Sequence, residues 1–412
     1  MLTLVAACLL ATRAPEPCDG GHCHGDLPPR VEAIVDHAWA EWQTQQAEKP
    51  VQQTPFQITP QHKKDLDADA ELGRKYAEIV DKELKPTEHA EFQERLDRIS
   101  AEIVTIANSK RVEVSWGDGR LNPFKYTFKV VKGDEVNAFS LPGGYIYFFD
   151  GLMKYVETDH ELAGVIAHEI SHASFRHIAT LQRERSKVQA FTIPLILISL
   201  FAGGGSGADV AAGAQLFEQA VGSGWSERAE LAADWGAVQY LVESPYDPTG
   251  ILTFMERLAR DERLGPNYVL GILRTHPPSR ERAVRMTARM GQLNIPVRRS
   301  VATTSFRVVV KEVDGGASLK FNNVVLVTLA GEDAVARGKV AAATLNDFFD
   351  RVPALFDVRA AGGRVEGYRR PLLELSPVDA ALAGVSREEL ANTTVRQIQR
   401  GIYSLAYRVW DY

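Results

Sequence analysis

Apolar residues along the 412-residue chain recur at different spacings, and each spacing predicts a different kind of element. Over 65–108 they recur at helical spacing, which predicts two amphipathic helices broken near Pro86. Over 125–150 the period falls to two, in three short runs separated by turn residues, which predicts a small antiparallel sheet. Helical spacing then returns over 158–182, about 226–243 and 251–264.

From about residue 300 onward, strand-like and helical runs alternate. The strand-like runs are 305–313, 322–331, 355–362 and 371–377, and the helical runs are 332–350 and 386–410. This pattern predicts a separate α+β module of about 100 residues, in which we find no catalytic constellation. The expected fold class is therefore α+β: a mainly helical domain with a small antiparallel sheet over 31–300 (core about 65–295), followed by a small α+β domain over 301–412.

The N-terminal residues have the composition of an export signal. Residues 1–14 are apolar and precede a Pro-rich polar stretch, as in a secretory leader, and the run ending at Cys8 also resembles a bacterial lipoprotein processing site. A start codon placed too late would explain the shortness of both signals. We expect a leader and linker over 1–30 and an exported protein, periplasmic or anchored as a lipoprotein; a frayed N-terminus is the alternative.

Composition excludes several classes of function. Hydrophobic residues make up 45% and charged residues 24% of the chain, and the net charge is −6, as in an ordinary globular protein without a basic block for nucleic acid. All three cysteines lie in the first 23 residues, which excludes a disulfide framework or cysteine nucleophile in the folded body. The cysteines and histidines of 18–24 could bind a metal, but their spacing matches no zinc module, which favours the interpretation of this stretch as a linker. These residues are Cys18, His22, Cys23 and His24.

One further apolar stretch, 188–205, contains Pro194 and ends in glycines. It is too short to span a bilayer comfortably, since spanning takes about 20 residues. We expect a buried or lid-like helix; peripheral contact with a membrane or an apolar substrate is the alternative.

The predicted helix over 158–182 carries three ionisable side chains in the motif HEISH. Residues four apart lie on the same face of a helix, so His168 and His172 point to one place. Two imidazoles at this separation can bind Zn²⁺, and Glu169 can reach a water beside the metal as a general base. Burying these groups without partners costs on the order of several kcal/mol, which disfavours two ordinary core histidines. We predict one zinc ion per chain.

A catalytic zinc needs a third protein ligand. Metzincins use a histidine ten residues after the first, and Ile178 at that position excludes them. Gluzincins use a glutamate from a later helix, and the helix over 226–243 offers Glu230 with Asp234 on the same face. We predict that Glu230 ligates the zinc and that Asp234 accepts the second ring N–H of a ligating histidine. Glu227 lies at the polar start of this helix, where an acidic residue is expected anyway.

His177 is the remaining histidine of this region. It lies nine residues after His168, about half a turn away on the helical wheel, so we expect it to point away from the metal. The prediction is a histidine that lies on the surface or has its N–H satisfied locally.

Four blocks of sequence together resemble one protein family. The blocks are 134–153, 161–177, 225–237 and 274–283. In this order they are similar to the gluzincin zinc metallopeptidases of the family that contains the type I CAAX prenyl protease, HtpX and BepA, and most closely to the soluble periplasmic BepA-like branch. The resemblance covers about 65–295.

The resemblance implies the same ligands, His168, His172 and Glu230, with Glu169 as the base. It further implies that His276 lies near the metal, where it either stabilises the oxyanion or caps the zinc.

The resemblance also implies a place for the substrate. Asn137 and Ala138 fall where the family has an edge strand beside the cleft, to which an extended peptide could add by main-chain hydrogen bonds. Two departures stand out: Ala232 replaces a common glutamate, and the tetratricopeptide repeats of BepA-like proteins have no counterpart over 300–412.

The predicted function is therefore zinc-dependent hydrolysis of peptide bonds in proteins or peptides, in envelope protein quality control. The alternative is an envelope chaperone or binding protein whose zinc site is structural or silenced.

Overall fold

The computed structural model describes residues 57–184, 225–264, 276, 280–322 and 324–405. The predictions for the N-terminal leader, the cysteines and the apolar stretch 188–205 lie outside these residues. Within the described part of the chain, no helix has the length and apolar character needed to cross a membrane.

Two helices open the described chain, as the apolar spacing predicts. Helix α1 runs Pro60–Glu83 and helix α2 runs Ala90–Ser109. The Thr59 hydroxyl accepts the His62 N–H at 3.2 Å and so caps α1, whose first residue is a proline. Pro86 lies in the connection, where its missing N–H costs no helical hydrogen bond.

The three predicted strands form one small sheet in the order β1–β3–β2. Their bounds are Thr127–Val131 for β1, Ala138–Leu141 for β2 and Tyr145–Phe149 for β3. Strand β3 is antiparallel to β2, its neighbour in sequence, and parallel to β1. The strand at one edge, β2, packs against the helix that carries the HEISH motif.

The predicted helix over 158–182 is two helices in the structure. After a short helix α3 (Asp150–Tyr155), helix α4 runs Asp159–Ser174 and helix α5 runs His177–Glu184. Between them Arg176 has a φ of 53°, which is uncommon for a residue other than glycine. The prediction of one continuous helix is therefore wrong at its C-terminal end, and the direction inferred for His177 from the helical wheel does not apply.

Long-range ion pairs stabilise this turn. The buried Arg176 guanidinium donates to Asp69 of α1 at 2.6 and 3.1 Å and to Asp118 at 2.9 Å. Charge-assisted bonds of this kind outweigh the modest cost of a left-handed backbone. Both acidic partners are distant in sequence, so local spacing cannot reveal the turn.

Four more helices of the mainly helical part lie within the described residues. They are α6 (Trp225–Val242), α7 (Thr249–Leu264), α8 (Arg280–Gln292) and the short α9 (Arg299–Ala302). Helix α4 lies at the centre, where α2, α6 and α7 pack against it. A continuous core of apolar side chains from these helices and from the sheet surrounds α4. The central helix is therefore shielded on almost every side.

The C-terminal part has its own apolar core and two three-stranded antiparallel sheets. The first sheet contains β4 (Val308–Val313), β5 (Gly316–Phe321) and β6 (Val324–Ala330), and the second contains β7 (Val358–Ala361), β8 (Arg364–Gly367) and β9 (Arg370–Glu374). The helices are α10 (Ala334–Asp350), α11 (Pro377–Ala383) and α12 (Arg387–Leu405). The predicted α+β fold class is confirmed; β5, β8 and α11 were not predicted.

Candidate metal centre

Helix α4 brings the HEISH motif into the middle of the protein. The Thr158 hydroxyl caps it by accepting the Glu161 N–H at 3.2 Å. Two acidic residues in its first turn interact favourably with the positive end of the helix dipole. His168 is 4% exposed and Glu169 is fully buried. An ionisable side chain at such depth needs partners, and for His168 the neighbouring helix α6 supplies two carboxylates.

His168, His172 and Glu230 converge at one point, as the sequence analysis predicts. The two Nε2 atoms lie 3.0 Å apart. The Glu230 carboxylate of α6 lies with Oε2 3.3 Å from the Nε2 atom of His168 and Oε1 3.3 Å from that of His172. Ligands about 2.0–2.1 Å from a tetrahedral zinc are themselves about 3.3 Å apart, so the separations among these three side chains suit such an ion.

His276 adds a third nitrogen, and a fourth residue, to this group. Its Nδ1 atom lies 3.3 Å from His168 Nε2 and 3.0 Å from Glu230 Oε1. One ligand atom from each of the four residues lies within 4.8 Å of the others. A metal held by the other three residues would therefore have the His276 ring within reach as a fourth donor, whereas a catalytic zinc keeps one position open.

Glu169 lies beside this group without a hydrogen-bond partner. Among the described residues, neither of its carboxylate oxygens has one, and the nearest histidine nitrogen, Nε2 of His276, is 3.4 Å away from Oε1. A cavity of about 20 Å³ adjoins Glu169 between α4 and α7. One water needs roughly 10–15 Å³, so the cavity can hold a single water next to this carboxylate.

Asp234 lies behind His168, as predicted, and an arginine holds it there. Its Oδ1 atom is 3.1 Å from the Nδ1 atom of His168. Arg282 of α8 donates to both carboxylate oxygens of Asp234 at 2.7 Å and lies 3.1 Å from Glu230 Oε2. The sequence analysis did not assign Arg282, although it lies in the block 274–283 that resembles the family.

Charges around the site keep both carboxylates ionised. Burial raises the pKa of Glu230, but His276 and Arg282 outweigh this effect and hold the pKa well below its usual range. Burial also raises the pKa of Asp234, which Arg282 brings below its usual value. Burial lowers the pKa of His168, but the two carboxylates overcome this and raise it to about 10. A cation at Nε2 would replace that proton, so metal binding releases protons.

His177 is buried against the site, because the turn at Arg176 redirects it. Only 3% of the residue is exposed, so a surface position is wrong, although its ring N–H is satisfied as expected. Nε2 lies 3.1 Å from the carbonyl oxygen of Trp116, and Nδ1 lies 2.9 Å from Nδ1 of His172. Burial lowers the pKa of His177 well below its usual value and also lowers that of His172. Nothing in the local sequence signals this contact.

Asn137 and Ala138 lie at the edge of the first sheet, next to α4. Ala138 begins β2 and pairs with Phe148 of β3. Both residues are fully buried, and the Asn137 amide has no hydrogen-bond partner among the described residues. Pairing of a peptide with this edge stays a prediction.

Comparison with known proteins identifies relatives with the same central region. Residues 109–290 match peptidase family M48. Metalloprotease LoiP of Escherichia coli (strain K12) is 30% identical over 190 residues, which cover 46% of this chain and 69% of that protein. The beta-barrel assembly-enhancing protease of Yersinia pestis is 33% identical over 162 residues, or 37% of this chain and 32% of that protein. Mitochondrial metalloendopeptidase OMA1 of Schizosaccharomyces pombe is 29% identical over 167 residues, or 39% and 46%.

The matched region contains the whole candidate centre. The chain spans only about a third of the length of the beta-barrel assembly-enhancing proteases, 32% of the Yersinia pestis protein and 37% of that from Escherichia coli (strain K12). The family match nevertheless includes both helices that supply the converging side chains, α4 and α6. Relatives such as LoiP and OMA1 are named as a metalloprotease and a metalloendopeptidase. The resemblance drawn from the sequence is confirmed, and this chain belongs to peptidase family M48.

Proposed function

We propose that the protein is a zinc-dependent metalloendopeptidase that hydrolyses peptide bonds in proteins or peptides. The observation that carries this proposal is the convergence of His168, His172 and Glu230, with mutual distances of 3.0–3.3 Å. Two imidazoles and one carboxylate are the donor set of a catalytic gluzincin site. One ion per chain is expected.

The chemistry divides between the metal and the protein. When bound, zinc acts as a Lewis acid that acidifies water and polarises a carbonyl group. Glu169 accepts the proton of the attacking water and passes it to the leaving amine. Its two buried oxygens, which have no hydrogen-bond partner in the described part of the chain, and the adjoining cavity suit a base whose partner is a water. His276, whose Nε2 atom lies 3.4 Å from Glu169 Oε1, would donate a hydrogen bond to the oxyanion.

Asp234 and Arg282 position the metal-binding atoms. Asp234 Oδ1 lies 3.1 Å from Nδ1 of His168, where it would accept the Nδ1–H of a metal-bound His168 and so leave Nε2 for the metal. Arg282 fixes the Asp234 carboxylate through two bonds of 2.7 Å and balances part of the negative charge.

The biological role and the domain division are also proposals. An extended protein substrate would pair with the β2 edge at Asn137 and Ala138. The N-terminal composition favours export, and we propose a role in envelope protein quality control; relatives named beta-barrel assembly-enhancing protease support a link to protein assembly. The peptidase domain would end near residue 300, because the core beyond it contains no residue before Phe306.

A second candidate function is a chaperone or binding protein with a silenced zinc site. His276 favours it, since its Nδ1 atom lies 3.0 Å from Glu230 Oε1 and 3.3 Å from His168 Nε2, where it could serve as a fourth zinc ligand in place of substrate. A permanently four-coordinate zinc cannot bind substrate, because structural sites are closed and catalytic sites are open.

Metal removal tests the proposed function. The purified full-length chain should contain about one zinc per molecule. Chelation should abolish casein cleavage, and stoichiometric zinc should restore it. Zinc content is measured by mass spectrometry and cleavage by release of acid-soluble peptides. Cleavage that persists after complete loss of zinc would defeat the proposal.

The number of histidine ligands separates the two candidate functions. We expect X-ray absorption of the zinc protein to show three histidines, His168, His172 and His276, without substrate. Addition of a peptide hydroxamate should lower this number to two, because an active peptidase must open the position held by His276. If all three histidines remain bound with the inhibitor in excess, the binding protein is favoured instead.

A further inference from the structure

His177 lies next to a candidate ligand without reaching the metal position. Its Nδ1 atom is 2.9 Å from Nδ1 of His172, on the side of that ring opposite the converging Nε2 atoms. Its Nε2 atom is 3.1 Å from the carbonyl oxygen of Trp116. His177 is therefore the middle member of a chain of three groups that ends at the metal centre.

The chemistry of the carbonyl oxygen sets the direction of both hydrogen bonds. A carbonyl oxygen only accepts, so Nε2 of His177 must carry the proton. In a neutral imidazole the other nitrogen, Nδ1, is then an acceptor. The two Nδ1 atoms are 2.9 Å apart, which is a hydrogen-bond distance, so one of them must carry a proton. Because Nδ1 of His177 is the acceptor, His172 must be the donor. His172 thus has its proton on Nδ1 and a lone pair on Nε2, the tautomer that a metal requires.

The surroundings of His177 are built to hold this arrangement. The ring lies between the aromatic rings of Trp116 and Phe175, at centroid distances of 5.2 and 5.7 Å. The preceding Arg176 is fixed by the ion pairs that shape the turn. The Asp118 N–H also donates to the Phe175 carbonyl at 2.7 Å, which joins the Trp116 segment to the turn.

Gly117 allows the two segments to come this close. Its φ is 116°, and a Cβ atom there would lie 2.6 Å from the Phe175 carbonyl oxygen and 2.9 Å from Cδ2 of His177. Any side chain would therefore push the Trp116 carbonyl away from the histidine.

We propose that His177 is a positioning residue for the metal: it relays the hydrogen-bond polarity of the Trp116 carbonyl to His172 and so holds His172 in its metal-binding tautomer. The two histidine ligands then have different supports, since His168 faces the Asp234 carboxylate and His172 faces a neutral imidazole. This inference rests on the proposed zinc site, and it adds a residue outside the HEISH motif.

Zinc affinity of three variants tests the relay. His177→Phe keeps the ring but removes both nitrogens, and partners of metal ligands usually contribute 10–100-fold to affinity, so we expect zinc to bind about 10–100-fold more weakly. His177→Asn places an amide oxygen near the position of Nδ1 and should recover most of the affinity. His160→Phe is the control, because His160 lies on α4 and its Nδ1 accepts the Asp247 N–H. Affinity is measured by competition with a chromophoric chelator.

The outcomes separate the relay from the proposed function. If the wild-type chain binds no zinc, the proposed function fails. If the wild type binds zinc and His177→Phe binds it equally well, or His177→Asn is as weak as His177→Phe, only the relay is wrong.

A measurement on the unmodified protein covers the case in which a variant does not fold. In ¹⁵N-histidine-labelled zinc protein we expect the proton of His172 on Nδ1 and a ¹⁵N–¹⁵N coupling across the hydrogen bond to His177. A proton on Nδ1 of His177 instead would overturn the relay.

Discussion

Replacement of Glu169 by glutamine is expected to lower kcat/KM for peptide cleavage by about 10²–10⁴-fold, the usual contribution of a general base. Glutamine has nearly the same shape but cannot accept the proton of the attacking water. Zinc should remain bound, because Glu169 is not among the side chains whose atoms converge on the metal position. Cleavage is measured with a fluorogenic peptide and zinc by mass spectrometry.

The stability of this variant provides an independent readout. Neither carboxylate oxygen of Glu169 has a hydrogen-bond partner among the described residues, so the metal-free variant should be at least as stable as the wild type. Glu161→Gln on the same helix is the matched control, since Glu161 is equally buried but pairs with Arg257 at 2.6 Å. That control should lose stability and keep its cleavage per folded molecule. Undiminished cleavage by Glu169→Gln in a clean preparation would remove Glu169 from the mechanism.

Replacement of Glu230 by glutamine is expected to weaken zinc binding by about 10²–10³-fold. Structural zinc sites contribute about 10–16 kcal/mol over four ligands, or about 2.5–4 kcal/mol for each. The neutral amide is a poorer ligand, and Arg282 would lose the carboxylate that lies 3.1 Å from its guanidinium. Cleavage at limiting zinc should fall by a similar factor, and excess zinc should restore part of it.

Glu227→Gln is the matched control for this experiment. Glu227 lies one helical turn earlier on α6, is exposed, and is not one of the four converging residues. Isothermal titration of metal-free protein should therefore give the wild-type affinity for Glu227→Gln. Wild-type affinity for Glu230→Gln would mean that the third ligand lies elsewhere and would contradict the proposed site.

Several features of the site could be predicted because they depend on local spacing or on the family. His168 and His172 share a face of α4 for the simple reason that four residues make about one turn. The distance between α4 and α6 is not a local property. Glu230 was nevertheless selected, because gluzincins take their third ligand from a later helix, and the structure places its carboxylate 3.3 Å from both histidines.

Other features escaped prediction because distant residues produce them. Arg282 is held by two carboxylates of α6. One of them, that of Asp234, lies 48 residues earlier in the sequence. The parallel pairing of β1 with β3 cannot be read from an alternating pattern, which is the same in parallel and antiparallel strands at a sheet edge. The strands β5 and β8 are short runs interrupted by polar residues, which weakens their periodic signal.

The sequence by itself determined the family and the α+β class, and it placed the two histidines of the HEISH motif on one face of a helix, because these features depend on residue order and helical periodicity. Only the tertiary structure decided where His177 points and which partner each ligand histidine has. The physical reason is the turn at Arg176, which is stabilised by Asp69 and Asp118 from other parts of the chain. A helical wheel assumes that the helix continues, and ion pairs between distant residues can end it.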